Sequence, residues 1–170
     1  MIREVHTRPI LIFGCGNTLF GDDGFGPAVA RRLLREPALP PSACVVDAGT
    51  SVREFLFDLL LRPRRPESLF IVDAADQPGR RPGELFELDL DGIAPQKASD
   101  FSLHQYPSVN LLKELRSDAG VNVRVLAVQA GDIPDRVRPG LSPEVAQAVS
   151  EACRWLIRVI EGSHDRHSNR

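Results

Sequence analysis

Two hydrophobic periods alternate along the chain. Pro9-Ile10-Leu11-Ile12-Phe13 is an apolar run stopped by Gly14, the pattern of a strand buried on both faces. After the glycine-rich turn Gly14 to Asp23, a helical period spans Gly24 to about Arg35, with Phe25, Val29 and Leu33 on one face and Pro27 in its first turn. Pro37, Pro40 and Pro41 break the chain before a short strand, Cys44-Val45-Val46, ending at Asp47. Ser51 to Leu61 is helical again and presents Val52, Phe55, Leu56, Leu59 and Leu60. The segment Arg62-Pro63-Arg64-Arg65-Pro66 reads as a surface loop.

Leu69-Phe70-Ile71-Val72 predicts a third buried strand closed by Asp73. From Leu85 to Leu90 the period becomes two, with Phe86, Leu88 and Leu90 on one side and Glu87 and Asp89 on the other. That pattern fits a half-exposed edge strand open to antiparallel pairing. Ser99 to Tyr106 is a loop holding His104, followed by a helix over 108–117 with Val109, Leu112 and Leu115 as its stripe. Val121 to Val128 is a fifth strand. Ser142 and Pro143 then open a long helix whose apolar face runs from Val145 through Ala148, Ala152 and Leu156 to Ile160. Residues 163–170 read as a polar, disordered tail, leaving 1–162 as a single domain. Strands alternating with helices imply an α/β fold of three layers, a twisted, mostly parallel five-stranded sheet with helices on both faces.

Composition narrows the function. With 21 basic against 23 acidic residues the net charge is −2, and no basic surplus is available for nucleic acid or an anionic membrane. The three cysteines are odd in number and form no C-x-x-C pair, so neither a disulfide framework nor a thiolate zinc site is expected. No signal peptide and no run of roughly 20 apolar residues is read. A reduced, cytoplasmic protein is expected, without an apolar stripe demanding a second copy, and therefore a monomer.

In parallel α/β sheets ligands bind outside the carboxyl ends of the strands. The first such end reads Gly14-Cys15-Gly16-Asn17-Thr18-Leu19-Phe20-Gly21-Asp22-Asp23-Gly24. It lacks the third glycine of a dinucleotide fingerprint, where Leu19 stands, and it offers Asp22 and Asp23 where a P-loop needs Lys and Ser or Thr. Either acid could serve as a helix cap, but two adjacent acids repel unless one meets a cation. The expected division gives Asp22 local structure and Asp23 chemistry. Asp73 ends a buried run, where a carboxylate is costly unless bonded or bound to metal. Asp47 is followed by Ala48-Gly49-Thr50-Ser51, where the simpler reading is turn bonding or capping of the next helix.

Of four histidines, only His104 falls in an internal loop before a helix. Asp23, Asp73 and His104 come from three separate regions that the architecture brings to one edge. Two carboxylates and an imidazole suit a borderline divalent ion and leave coordination positions open. An aspartic dyad of Asp23 and Asp73 and a thiol dyad of Cys15 with His104 are alternatives on the same residues. No Gly-x-Ser-x-Gly elbow occurs.

The run Gly14 to Gly26 resembles the opening motif of the [NiFe]-hydrogenase maturation endopeptidases. The similarity continues through Asp47-Ala48-Gly49-Thr50, Ile71-Val72-Asp73-Ala74, Ser102-Leu103-His104-Gln105 and the stretch from Gly131-Asp132-Ile133-Pro134 to Ser142-Pro143. The resemblance implies a protease that clips a C-terminal extension from a hydrogenase large-subunit precursor after nickel insertion. It implies that Asp23, Asp73 and His104 reach the nickel carried by that precursor, and that Asp47, Gly49 and Thr50 lie in a substrate-discriminating segment. Ala48 departs from the Gly or Cys expected there. The readings from other classes are a non-catalytic nickel-binding chaperone, a nucleotide-binding module and an aminopeptidase-like metallohydrolase.

Overall fold

A computed structural model describes residues 7–92 and 106–167. The elements follow in the order β1 (Ile10–Cys15), a 3₁₀ turn (Gly21–Gly24), α1 (Phe25–Leu33), β2 (Ala43–Gly49), α2 (Val52–Leu61), β3 (Ser68–Ala75), β4 (Leu85–Glu87), α3 (Tyr106–Ser117), β5 (Asn122–Gln129) and α4 (Pro143–His167). The strands form one five-stranded sheet in the order β2-β1-β3-β5-β4. All neighbours are parallel except β4, which pairs antiparallel with β5 at the edge. No helix among the described residues is long and apolar enough to cross a membrane.

Side-chain alternation sorts the core into two layers. Leu11, Phe13 and Cys15 of β1 join Leu69, Ile71 and Ala75 of β3 on the face covered by α2 and α3. Ile10 and Ile12 join Phe70, Val72 and Ala74 on the opposite face, beneath α1 and α4. The chain leaves β1 to α1 on one face, whereas α2 and α3 cover the other, so the carboxyl ends of β1 and β3 flank the sheet's switch point. Here α1 packs unusually close. A Cβ at Gly26 would stand 2.2 Å from the Cys15 carbonyl oxygen and 2.3 Å from that of Val72, so only glycine fits. Gly14 and Gly26 of this motif thus serve helix-on-strand contact.

Several expected boundaries move. β2 and β3 do not stop at Asp47 and Asp73 but run two residues further, because their neighbours keep supplying backbone partners: Asp73 sits opposite Ala127 and Ala75 opposite Gln129. The edge strand is shorter than the expected Leu85 to Leu90. Its inner positions Phe86, Leu88 and Leu90 are buried, yet the ladder closes after Glu87, and the Asp91 N–H turns back to donate to the Asp89 carboxylate. Glu87 holds this edge through a bidentate pair with Arg124 at 2.7 and 2.8 Å, and the Arg124 guanidinium lies 4.8 Å from the Trp155 ring centroid. Finally, α4 continues past Gly162 to His167, so the segment expected to fray from residue 163 is helical through that point.

Candidate active site

Asp22 and Asp23 lie in the 3₁₀ turn directly after the β1 loop, and both are fully buried. Neither caps α1, whose N-cap is Gly24 without a side-chain bond. Asp22 instead accepts four hydrogen bonds from one distant loop. The donors are the N–H groups of Gly131 and Asp132 at 2.8 Å, the Ser142 N–H at 2.7 Å and the Ser142 hydroxyl at 2.9 Å. Ser142 therefore turns its side chain to Asp22 rather than capping α4, which it begins only through its carbonyl, the acceptor for the Ala146 N–H. A carboxylate is suited to this position because it accepts in several directions at once. The local role expected of Asp22 is not the one it plays: it caps no nearby helix and instead anchors a distant loop.

Asp23 turns the other way, accepting the Asn17 N–H at 2.8 Å. It thereby closes the loop back onto the end of β1. Gly16, between Cys15 and Asn17, has φ +119°, and a Cβ there would meet the Asp23 carbonyl oxygen at 1.9 Å. The loop is folded tightly around Asp23.

Asp73 is 1% exposed and accepts the N–H of Ala74 at 2.8 Å. By alternation its side chain shares the α2/α3 face with Ile71 and Ala75, the face that also holds Cys15 on the neighbouring strand. Four connecting residues join Ser117 to Asn122, so α3 ends at the amino edge of the sheet. A 12-residue helix spans about 18 Å, which returns the start of α3 toward the carboxyl edge. His104, two residues before that start in sequence, lies outside the described residues, as does the loop from which it was predicted. Among the described residues no group of three or more His, Cys, Asp or Glu forms a metal-holding cluster.

Cys15 records the crowding of acids at this edge. Burial pushes its thiol well above the ordinary range, and the carboxylates of Asp73, Asp47 and Asp23 push it further. That direction disfavours the thiolate, the form a thiol dyad requires. Cys153, on the buried face of α4, is likewise raised, to about 11, chiefly by burial. The unfolded thiol ionises first, so the stability tied to the neutral form is complete below about pH 9 and lost as the pH climbs toward 11. Unfolding free energy measured in urea should decline across that window, and Cys153→Ala should show a shallower decline.

The substrate segment predicted from resemblance lies to one side. Asp47 falls on the opposite sheet face from Asp73, by alternation with Val45, and is half exposed. Its carboxylate lies 3.8 Å from Arg31 Nε, which donates to the Pro27 carbonyl at 3.1 Å. Neither Asp47 nor Ser51 caps α2, which begins without a side-chain cap. With Gly49 and Thr50, Asp47 lines a groove of about 230 Å³ completed by Gly16, Asn17, Thr18, Pro27 and Arg31. Gly16 and Asn17 form the partition between groove and acids, since the Asn17 N–H binds Asp23.

Two residues outside the sequence-based set contribute. Arg31, on the buried helix's exposed shoulder, gave no signal of its own. Gln129 ends β5 as a buried polar residue, and its side chain receives the Gln77 N–H at 2.9 Å and donates to Asp76 at 2.8 Å, clamping the segment just beyond Asp73. The strand-end logic applied to Asp47 and Asp73 extends naturally to this glutamine.

A mostly parallel α/β sheet with Asp23 and Asp73 buried after β1 and within β3 hosts many chemistries, so the fold alone names no activity. Comparison with known proteins supplies one. The family profile described as hydrogenase maturation protease (HycI) matches residues 27–159. A Methanocaldococcus jannaschii protein provisionally named as a hydrogenase maturation protease is 37% identical over 156 residues, covering 91% of this chain and 97% of its own. The hydrogenase 3 maturation protease of Escherichia coli K12 is 32% identical over 147 residues, covering 86% and 85%. A solved hydrogenase 3 maturation protease superposes with a TM-score of 0.70 at 28% identity over 87% of this chain and 88% of that one. The E. coli endopeptidase HybD, at 24% identity and a TM-score of 0.71 over 92% and 94%, shares the fold. The chain belongs to the hydrogenase maturation protease family, and its activity is that of an endopeptidase in hydrogenase maturation.

Proposed function

We propose that the protein removes a C-terminal extension from a [NiFe]-hydrogenase large-subunit precursor, reading nickel already placed in that substrate. The observation that carries this is the burial of Asp23 and Asp73, each essentially excluded from water and each acting on the Cys15 thiol at the end of β1, whose following loop lines an open groove. Burial of two carboxylates costs stability, and a cation brought by the substrate would offset it. His104 would supply a softer nitrogen to complete a mixed oxygen and nitrogen set suited to nickel. Polarisation of the scissile carbonyl and a lowered water pKa are the rate sources that such an ion offers. Asp47, Gly49 and Thr50, lining the groove with Arg31, would hold the flanking peptide. The metal belongs to the substrate and leaves with the product, so a buried acid pair suffices between turnovers.

Co-expression with a large-subunit precursor tests this reading. Mass spectrometry of the purified precursor should show a single C-terminal truncation that depends on the protein. An unchanged mass in the presence of the wild-type protein would refute it. A chaperone that binds nickel without cleaving would give that second outcome together with retention of metal on the free protein.

A further inference from the structure

Exposed apolar side chains are unevenly distributed over the molecule. Six large hydrophobic residues stand out among the described residues: Leu19, Leu34, Phe57, Leu61, Ile133 and Val137. Single exposed leucines need no explanation, but grouping does. Three of these six, Leu19 at 47%, Ile133 at 38% and Val137 at 66%, occur on two loops far apart in sequence and joined in space. A parallel bridge pairs Phe20 with Arg138, which sets Leu19 beside Val137. The Arg138 N–H donates to the Leu19 carbonyl at 2.8 Å, and the Gly21 N–H to the Arg138 carbonyl at 2.9 Å. The Asp22 N–H donates to the Asp132 carbonyl at 3.0 Å, next to Ile133, and the Asp22 carboxylate anchors the same loop four times over.

We infer that Leu19, Ile133 and Val137 form a preordered docking surface for the folded body of the hydrogenase precursor, beside the cleft that takes its tail. This rests on the function proposed above and adds to it a second contact region outside the cleft. Continuity supports the assignment: Thr18 lines the groove, Leu19 follows it, and Asp23 closes the same loop, so the apolar side chains adjoin the path of a tail that reaches Asp23. The rim is exposed and mixed in sign, with Arg136 and Arg138 beside Asp132 and Asp135, and Arg138 pairs with Asp132. An apolar centre within a rim of balanced charge is the anatomy of a protein interface. An anionic membrane would call for a basic surplus instead. The hydrogen bonding of both loops means that little ordering entropy is lost on docking.

Glutamate at position 19 or 137 tests the surface, since neither residue has a positive φ and both side chains reach solvent. Binding of the full-length nickel-loaded precursor is measured by calorimetry and its cleavage by mass spectrometry, for wild type, Leu19→Glu, Val137→Glu and the double variant. Phe57→Glu and Leu61→Glu on α2 serve as equally exposed controls. The double variant should raise both Kd and KM at least tenfold, about 1.4 kcal/mol, with kcat and melting temperature unchanged, while the controls match wild type. An affinity unchanged in the double variant, or weakened equally in the controls, overturns the inference while leaving cleavage intact. Surface-dependent binding without cleavage would sink the proposed function alone. A wild-type protein that binds no precursor, or whose apolar surface instead mediates self-association lost in the double variant, would sink the docking assignment.

Discussion

Asp73→Asn should lower kcat/KM for precursor cleavage by about a thousandfold, some 4 kcal/mol of transition-state stabilisation, while leaving the fold in place. The side chain is enclosed in β3 at 1% exposure, and its bond from the Ala74 N–H can be kept by the asparagine oxygen. What disappears is the negative charge facing the end of β1. The melting temperature should therefore stay close to that of wild type, because shape and backbone bonding survive. Steady-state cleavage and differential scanning calorimetry on the same preparation check both halves. Cleavage within tenfold of wild type would show that Asp73 is structural and would remove the acid pair from the mechanism.

Asp22→Ala should behave in the opposite way, with loss of stability as the primary effect. Four donors converge on this carboxylate, three of them backbone N–H groups from residues 131, 132 and 142. Leaving several buried donors unmatched costs about 1–3 kcal/mol apiece, so a total of about 4 kcal/mol is expected. Asparagine does not repair the site: its amide nitrogen would face the Ser142 N–H or the loop N–H groups, donor against donor. The urea midpoint should fall for both variants, further for alanine. Cleavage should fall with it, because the 3₁₀ turn bearing Asp23 and the loop bearing Ile133 are tied at this point. A midpoint unchanged in Asp22→Ala would contradict the anchoring role.

These two neighbouring acids show how far the sequence reaches. Their adjacency is legible, but the local role expected of Asp22 falls to Asp23, which accepts the Asn17 N–H, while Asp22 binds across the fold. The identity of Asp22's partners is not legible, since they lie more than a hundred residues downstream, and nothing local in Gly131-Asp132 or Ser142 announces an acceptor. Ser142 illustrates the competition directly: a good capping residue by propensity, it gives its hydroxyl to a tertiary partner.

The layers, the parallel sheet and the antiparallel edge were readable from hydrophobic period, because burial on one or two faces writes that period into the chain. Strand ends were less so. Apolar residues stop near Val46 and Val72, but backbone pairing continues through Asp47 and Asp73 because it depends on neighbours rather than on side-chain polarity. In the same way α4 outruns its apolar stripe, as each added turn propagates from one already formed. Strand-end logic puts Asp23 and Asp73 at one edge, and both are buried, one after β1 and one within β3, and both act on the Cys15 thiol. Asp47 was found by the same logic, yet it faces the other side and joins Arg31, which strand parity alone could have shown.

The most direct test of the account compares one precursor in two states. Nickel-loaded and nickel-free forms of the large subunit are incubated with wild-type protein, Asp23→Asn, Asp73→Asn and His104→Ala, and the products are weighed intact by mass spectrometry. The account predicts truncation of the loaded precursor by wild type only. Equal truncation of the nickel-free form, or full activity in all three variants, would contradict it.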